Sequence, residues 1–152
     1  MKKAVIDPTA GLTGSSYPPP HDQAVAGRKT WPLTRQFGLS QFGVNRVELA
    51  PGAWSTQRHW HKLSDEVVLL ISGELTLVDD DGEEVLRAGD CVAFRAGVAN
   101  AHHLQNRGDD VAIYYDIGGR DLDDVSTFPD IGLETKLHFQ VKFRPIKQDR
   151  SA

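Results

Sequence analysis

From Phe42 to Ile117 the chain runs in short apolar–polar stretches, each closed by a glycine, proline or aspartate turn. The first stretch, Phe42 to Ala50, puts Asn45, Val47 and Leu49 on one parity and Val44, Arg46 and Glu48 on the other, which predicts a strand with one wet face. Pro51-Gly52 ends it as a turn. Trp54 to His61 reads as the next strand and Glu66 to Ile71 as another. The latter is apolar on both parities, so it predicts cover on both faces, as in a barrel wall that also meets a second subunit. Ser72-Gly73 turns the chain into Glu74 to Val78, with Leu75 and Leu77 inward. Asp79-Asp80-Asp81-Gly82 predicts a tight hairpin, because Asp-Gly tolerates positive φ. It lacks the ligand ladder of a calcium loop and reads as a solvated turn. Glu83–Arg87, Cys91–Phe94, Ala101–Asn106 and Val111–Ile117 supply further strands.

The two ends read differently. Residues 1–40, with Gly11, Gly14 and Pro18-Pro19-Pro20, predict an extended N-terminal arm that meets the core near Trp31-Pro32-Leu33. Residues 41–118 form the β core, and 119–152 carry an acidic loop and then a C-terminal strand that completes the barrel or a dimer interface. In that strand Leu133, Thr135, Leu137, Phe139, Val141 and Phe143 alternate with Lys136, His138, Gln140 and Lys142, so His138 reads as a surface residue. Many short strands, regular turns and the lack of an amphipathic helical pattern predict an all-β sandwich or barrel.

Composition narrows the function classes. The chain has 152 residues, 39% of them apolar and 25% charged, which suits one globular domain. A net charge of −4 argues against nucleic acid or an anionic membrane as partner. A single cysteine, Cys91, excludes an internal disulfide framework and reads as a small buried hydrophobe. The opening Met-Lys-Lys-Ala-Val-Ile-Asp-Pro has no apolar signal region, so a cytoplasmic protein is expected. The two-sided run Val67–Ile71, the arm and the amphipathic terminal strand all need cover, which predicts a homodimer.

The candidate chemistry lies in His59-Trp60-His61, followed by Glu66. On a strand both imidazoles project from one face, and two imidazoles with a nearby carboxylate suit a transition metal. Gln57 is in phase with both histidines and is expected to orient a bound molecule. Trp54 and Trp60 are out of phase and are assigned to packing. Tyr115 or Tyr114 is expected to line the pocket from a later strand, or to serve as a core aromatic.

The stretch Gly52, His59, His61, Glu66, Gly73 resembles the first motif of the cupins, and Gly89, Gly97, His102, Asn106 resembles their second. Arg95 stands where that second motif has proline, and the step from Gly97 to the histidine is two residues longer. The resemblance implies a jelly-roll barrel, the double-stranded β-helix. It also implies one divalent transition metal (iron, manganese, zinc, nickel or copper) held by His59, His61, Glu66 and His102. His102 is placed ahead of His103 because it shares parity with Leu104 and Asn106. Four ligands would leave an octahedral ion two open positions. Two functions follow from the resemblance: a metal-dependent dioxygenase, isomerase or lyase acting on a small polar molecule, or a non-catalytic module that binds or senses a small ligand.

Overall fold

In the computed structural model, which describes residues 3–136 and 142–147, the alternating stretches close into a jelly roll. The strands are β1 (Leu12–Thr13), β2 (Arg28–Pro32), β3 (Phe42–Leu49), β4 (Trp60–His61), β5 (Glu66–Ser72), β6 (Glu74–Asp79), β7 (Gly82–Arg87), β8 (Cys91–Phe94), β9 (His103–Gln105), β10 (Ala112–Gly119), β11 (Val125–Phe128), β12 (Leu133–Lys136) and β13 (Phe143–Pro145). One helical turn, α1 (Leu33–Gln36), follows β2. Among the described residues no helix is long and apolar enough to cross a membrane.

One sheet has the order β1-β2-β3-β10-β5-β8. The other wall consists of β13-β12-β11-β4 and β7-β6-β9. Its two parts meet where the His59 and His102 backbones exchange hydrogen bonds of 3.1 and 3.0 Å. The core lies between the walls. Val47, Leu49, Val68, Leu70 and Tyr114 face Leu75, Leu77, Leu86 and Leu104. The predicted parity of Val47 with Leu49, and of Leu75 with Leu77, therefore matches the buried side of each strand. The Asp79–Gly82 hairpin forms as predicted, with Asp79 Oδ1 accepting from the amides of Asp81 and Gly82. Gly73 is required between β5 and β6: its φ is +83°, and a Cβ there would lie 2.9 Å from Ala112 Cα.

Five expectations are corrected. Arg28–Pro32 does not continue an extended arm but pairs along β3, with β1 on its other side, because ladder hydrogen bonds are made by the backbone and need no hydrophobic pattern. The strand expected over Trp54–His61 shrinks to β4, preceded only by isolated bridges at Trp54 and His59. The acidic loop contains a strand, β11, whose partner β4 lies more than sixty residues away in sequence. The single terminal strand is two strands, since β12 and β13 pair antiparallel with Thr135 opposite Phe143. A period of two does not reveal a reversal of direction; Leu137 to Val141, including His138, lie outside the described residues. Finally, Cys91 is exposed, because its position on edge strand β8, opposite Leu69, points away from the barrel interior.

Candidate metal centre

His59 and His61 flank the start of β4, Glu66 opens β5, and His102 precedes β9. The fold brings all four together at the inner end of the barrel. Glu66 Oε2 lies 3.9 Å from His59 Nε2, 3.7 Å from His61 Nε2 and 3.4 Å from His102 Nε2. Ligand atoms of His59, His61 and Glu66 all lie within 4.8 Å of one another, a spacing that could hold a metal ion. Aromatic rings fix the imidazole planes: Phe94 stacks on His102 and Phe128 on His59.

The outer nitrogens are equally well defined. His59 Nδ1 donates to the Gln57 carbonyl at 3.1 Å, and His102 Nδ1 donates to the Asn100 carbonyl at 3.1 Å. His61 Nδ1 donates to Asp124 Oδ2 at 2.7 Å. Each acceptor fixes the proton on Nδ1 and leaves the Nε2 lone pair turned inward. Three such lone pairs and a carboxylate form a donor set that fits a divalent transition metal.

His103 is turned elsewhere. Its Nδ1 donates to the Thr56 carbonyl, its Nε2 accepts from the Gln105 amide, and its ring packs edge-on against Trp54. Gln57 is also directed away, with its amide donating to the His21 carbonyl at 2.7 Å. Parity extrapolation fails for Gln57 because residues 55–58 are not in a regular strand. Tyr115 stands opposite Leu69 on the outer face of the large sheet, while Tyr114 faces inward. Tyr114 therefore lines the cavity, and neither Gln57 nor Tyr115 is among its lining residues.

Two carboxyl groups at the site escaped the sequence reading. Asp124 is almost fully buried and also accepts from the Leu63 amide at 2.7 Å. Burial would raise its pKa, but the bonds from His61 and Leu63 bring it down to about 2. No local pattern separates Asp124 from Asp121 and Asp123; only the pairing of β11 with β4 does. Asp116 lies on β10, on the same parity as Tyr114, and accepts from the Asn45 amide at 3.2 Å. Parity with Ala112 and Tyr114 was the available signal for it.

The charges at the centre are interdependent. Burial pushes the Asp116 carboxyl well above its usual range, and the adjacent Glu66 charge adds to this. Glu66 itself is held below its usual range; its burial is outweighed by the His102 contact and by the other two imidazoles. Two carboxyl groups this close do not both ionise cheaply, so Glu66 ionises first and Asp116 holds its proton to higher pH. Burial lowers His59 to about 4. Burial acts on His61 in the same sense but is outweighed by Asp124 and Glu66, so His61 is raised. Burial also raises both Tyr17 and Tyr114, opposed in each case by the positive charge of Arg28.

These shifts set an expected result for Asp124→Asn. Loss of an outer partner of a ligating histidine typically costs ~10–100-fold in metal affinity, and that loss is expected in a chelator competition, with the fold retained by circular dichroism. The parent's affinity is full above the raised His61 pKa and falls as pH drops through it, because a proton then occupies the inner nitrogen. In the variant the fall moves to lower pH. A parent curve flat from about pH 8 to about pH 5.5 would contradict this assignment.

A cavity of about 540 Å³ opens onto the centre, with His59, Glu66, His102, Tyr114 and Asp116 in its wall. That volume is within the range of small-molecule sites, ~300–1,000 Å³. The fold and the cluster together define a small β-barrel protein with a buried histidine–carboxylate centre. The chain belongs to the cupin superfamily. The cupin domain family matches residues 45–118. A sugar phosphate isomerase of the cupin superfamily from Silicibacter pomeroyi is 38% identical, with 94% of this chain and 93% of that chain covered and a TM-score of 0.87. A protein proposed to be a sugar phosphate isomerase, from Acidithiobacillus ferrooxidans, is 26% identical over 82% of this chain and 80% of that one, with a TM-score of 0.74. The tetracenomycin polyketide synthase protein TcmJ of Streptomyces glaucescens is 34% identical over 99 residues, 65% of this chain. The match spans 64% of the length of TcmJ.

Proposed function

We propose that the protein is a metal-dependent isomerase acting on a small polyhydroxylated molecule, with His59, His61, Glu66 and His102 as metal ligands. The observation that carries this reading is the convergence of three Nε2 atoms on Glu66 Oε2, with the Asp116 carboxyl in the same cavity wall as His59, Glu66 and His102. A bound divalent metal supplies Lewis acidity toward a carbonyl or hydroxyl oxygen. The protein's own part is proton movement. Isomerisation of a hydroxy-carbonyl compound takes a proton from one carbon and returns it to the next, which needs a carboxyl group inside the cavity that can hold and release one. Asp116 has that position, and Asn45 fixes its orientation. Support for sugar phosphates as the first substrate class comes from the similar Silicibacter pomeroyi protein, described as a sugar phosphate isomerase.

The reading is tested by incubating the protein with aldose and ketose phosphates in deuterated water. The parent is expected to incorporate solvent deuterium at carbon. Asp116→Asn is expected to lose ~10²-fold or more of that rate with metal content unchanged. A parent that binds metal but exchanges no carbon-bound hydrogen would overturn the assignment as an isomerase.

The proposal includes a homodimer. It is supported by the outer face of β5 and β10, where Val67, Leu69, Tyr115 and Ile117 lie together in register and Ile71 is 45% exposed. A light-scattering mass of 16.8 kDa, that of one chain, would count against it.

A further inference from the structure

Arg28 is a cation on the inward side of a strand. In the β2–β3 register it stands opposite Leu49, and Thr30 stands opposite Val47. Both partners are core residues, so Arg28 and Thr30 enter the barrel while Lys29 and Trp31 face outward. Nη1 of the half-buried guanidinium donates to the Ser55 carbonyl. Among the described residues Arg46, Arg58, Arg87, Arg107 and Arg144 each pair with an aspartate or glutamate, whereas Arg28 has no carboxylate oxygen within 4.0 Å. A guanidinium has five N–H donors, and withdrawing it from water without an anion is costly.

The same cavity wall includes Thr13, Gly14, Ser15 and Ser16, the turn that leaves β1. Three hydroxyls and a glycine at φ +84° therefore line the cavity together with Arg28 and Thr30. This group is rich in hydrogen-bond donors and carries positive charge. The histidine–carboxylate cluster in the same cavity is rich in acceptors and carries negative charge.

We propose that Arg28, with the hydroxyls of the Thr13–Ser16 turn, is the anion subsite of the cavity and holds the phosphate group of the substrate. The inference rests on the reading of the cavity as a substrate site and adds the group that anchors the substrate. Guanidinium groups recognise phosphate and carboxylate alike through paired N–H donors. The surrounding hydroxyls favour phosphate, whose additional oxygens can accept bonds that a planar carboxylate cannot. An anion held at Arg28 leaves the rest of a small molecule to extend toward Asp116 and the inner nitrogens.

The test is calorimetric titration of the purified protein with inorganic phosphate and with acetate, with metal content measured on the same samples. Phosphate is expected to bind at least about tenfold more tightly than acetate, and Arg28→Met to weaken phosphate by about tenfold or more at unchanged metal content. Arg46→Met is the control: this arginine lies one strand away, on the outer face, paired with Glu48, and is expected to change nothing. Phosphate binding that survives Arg28→Met, or that is lost only in His59→Ala, would place the anion at the metal ligands and overturn the proposal. Acetate binding as tightly as phosphate would overturn the choice of phosphate. If Arg28→Met does not fold, as judged by its melting curve, Ser16→Ala decides: weaker phosphate binding supports the subsite, and unchanged binding removes it. A parent without metal but with phosphate binding dependent on Arg28 would sink the isomerase reading and leave this subsite standing.

Discussion

His59→Ala is expected to leave the purified protein nearly free of transition metal, against about one ion per chain in the parent. The effect should exceed the ~10–100-fold cost of losing an outer hydrogen-bond partner, because a donor atom itself is removed. The barrel should survive the change. His59 joins the two parts of its wall through backbone bonds to His102, and those bonds do not use the imidazole. Elemental analysis of parent and variant, with a melting curve for each, is the measurement. Equal metal content in a folded variant would remove His59 from the ligand set. A parent without metal, even after reconstitution, would remove the centre altogether. His102→Ala and His103→Ala extend the same comparison. Only the first should lose metal, since His103 is bonded to Thr56 and Gln105 and not to Glu66.

The second large effect concerns stability. Leu70 is fully buried on β5, between β10 and β8, and packs in the main core. Leu70→Ala is expected to destabilise the protein by ~2–5 kcal/mol, from lost burial and from the cavity left behind. For a chain of this size that corresponds to a fall in Tm of roughly 4–20 °C. The Leu70 amide and carbonyl keep their partners at Asp90 and Gly89, so the loss isolates the side chain. Leu122→Ala, at a leucine 65% exposed, should remain within about 0.5 kcal/mol of the parent. Denaturant unfolding of both variants tests the pair. A Leu70→Ala midpoint equal to that of the parent would mean that the core lies elsewhere.

The anion subsite and the metal centre place different demands on one cavity. Arg28 and the Thr13–Ser16 turn come from the two strands added outside β3, whereas the histidines belong to the central barrel. If both assignments hold, these added strands determine which substrate enters, and the barrel supplies the chemistry. Variants in the two regions should then separate, with Arg28 affecting anion affinity and His59 affecting metal content.

The strands at Phe42–Leu49 and Glu74–Asp79 were legible in the chain because their parity is local: Val47 with Leu49 and Leu75 with Leu77 are buried as alternation requires. The sequence also determined the pairing of His59 with His61 and the spacing to Glu66, since these lie within eight residues. What only the tertiary structure decided depends on contacts between distant segments. Asp124 meets His61 because β11 pairs with β4, and nothing near Asp124 announces this. Arg28 became an inward charge through its register with Leu49, in a segment whose own composition predicted an arm. Tyr114 rather than Tyr115 faces the cavity because β10 is aligned against Leu70 and Leu69 of β5. Alternation states that neighbouring side chains point in opposite directions, but only the packed sheets determine which direction is inside.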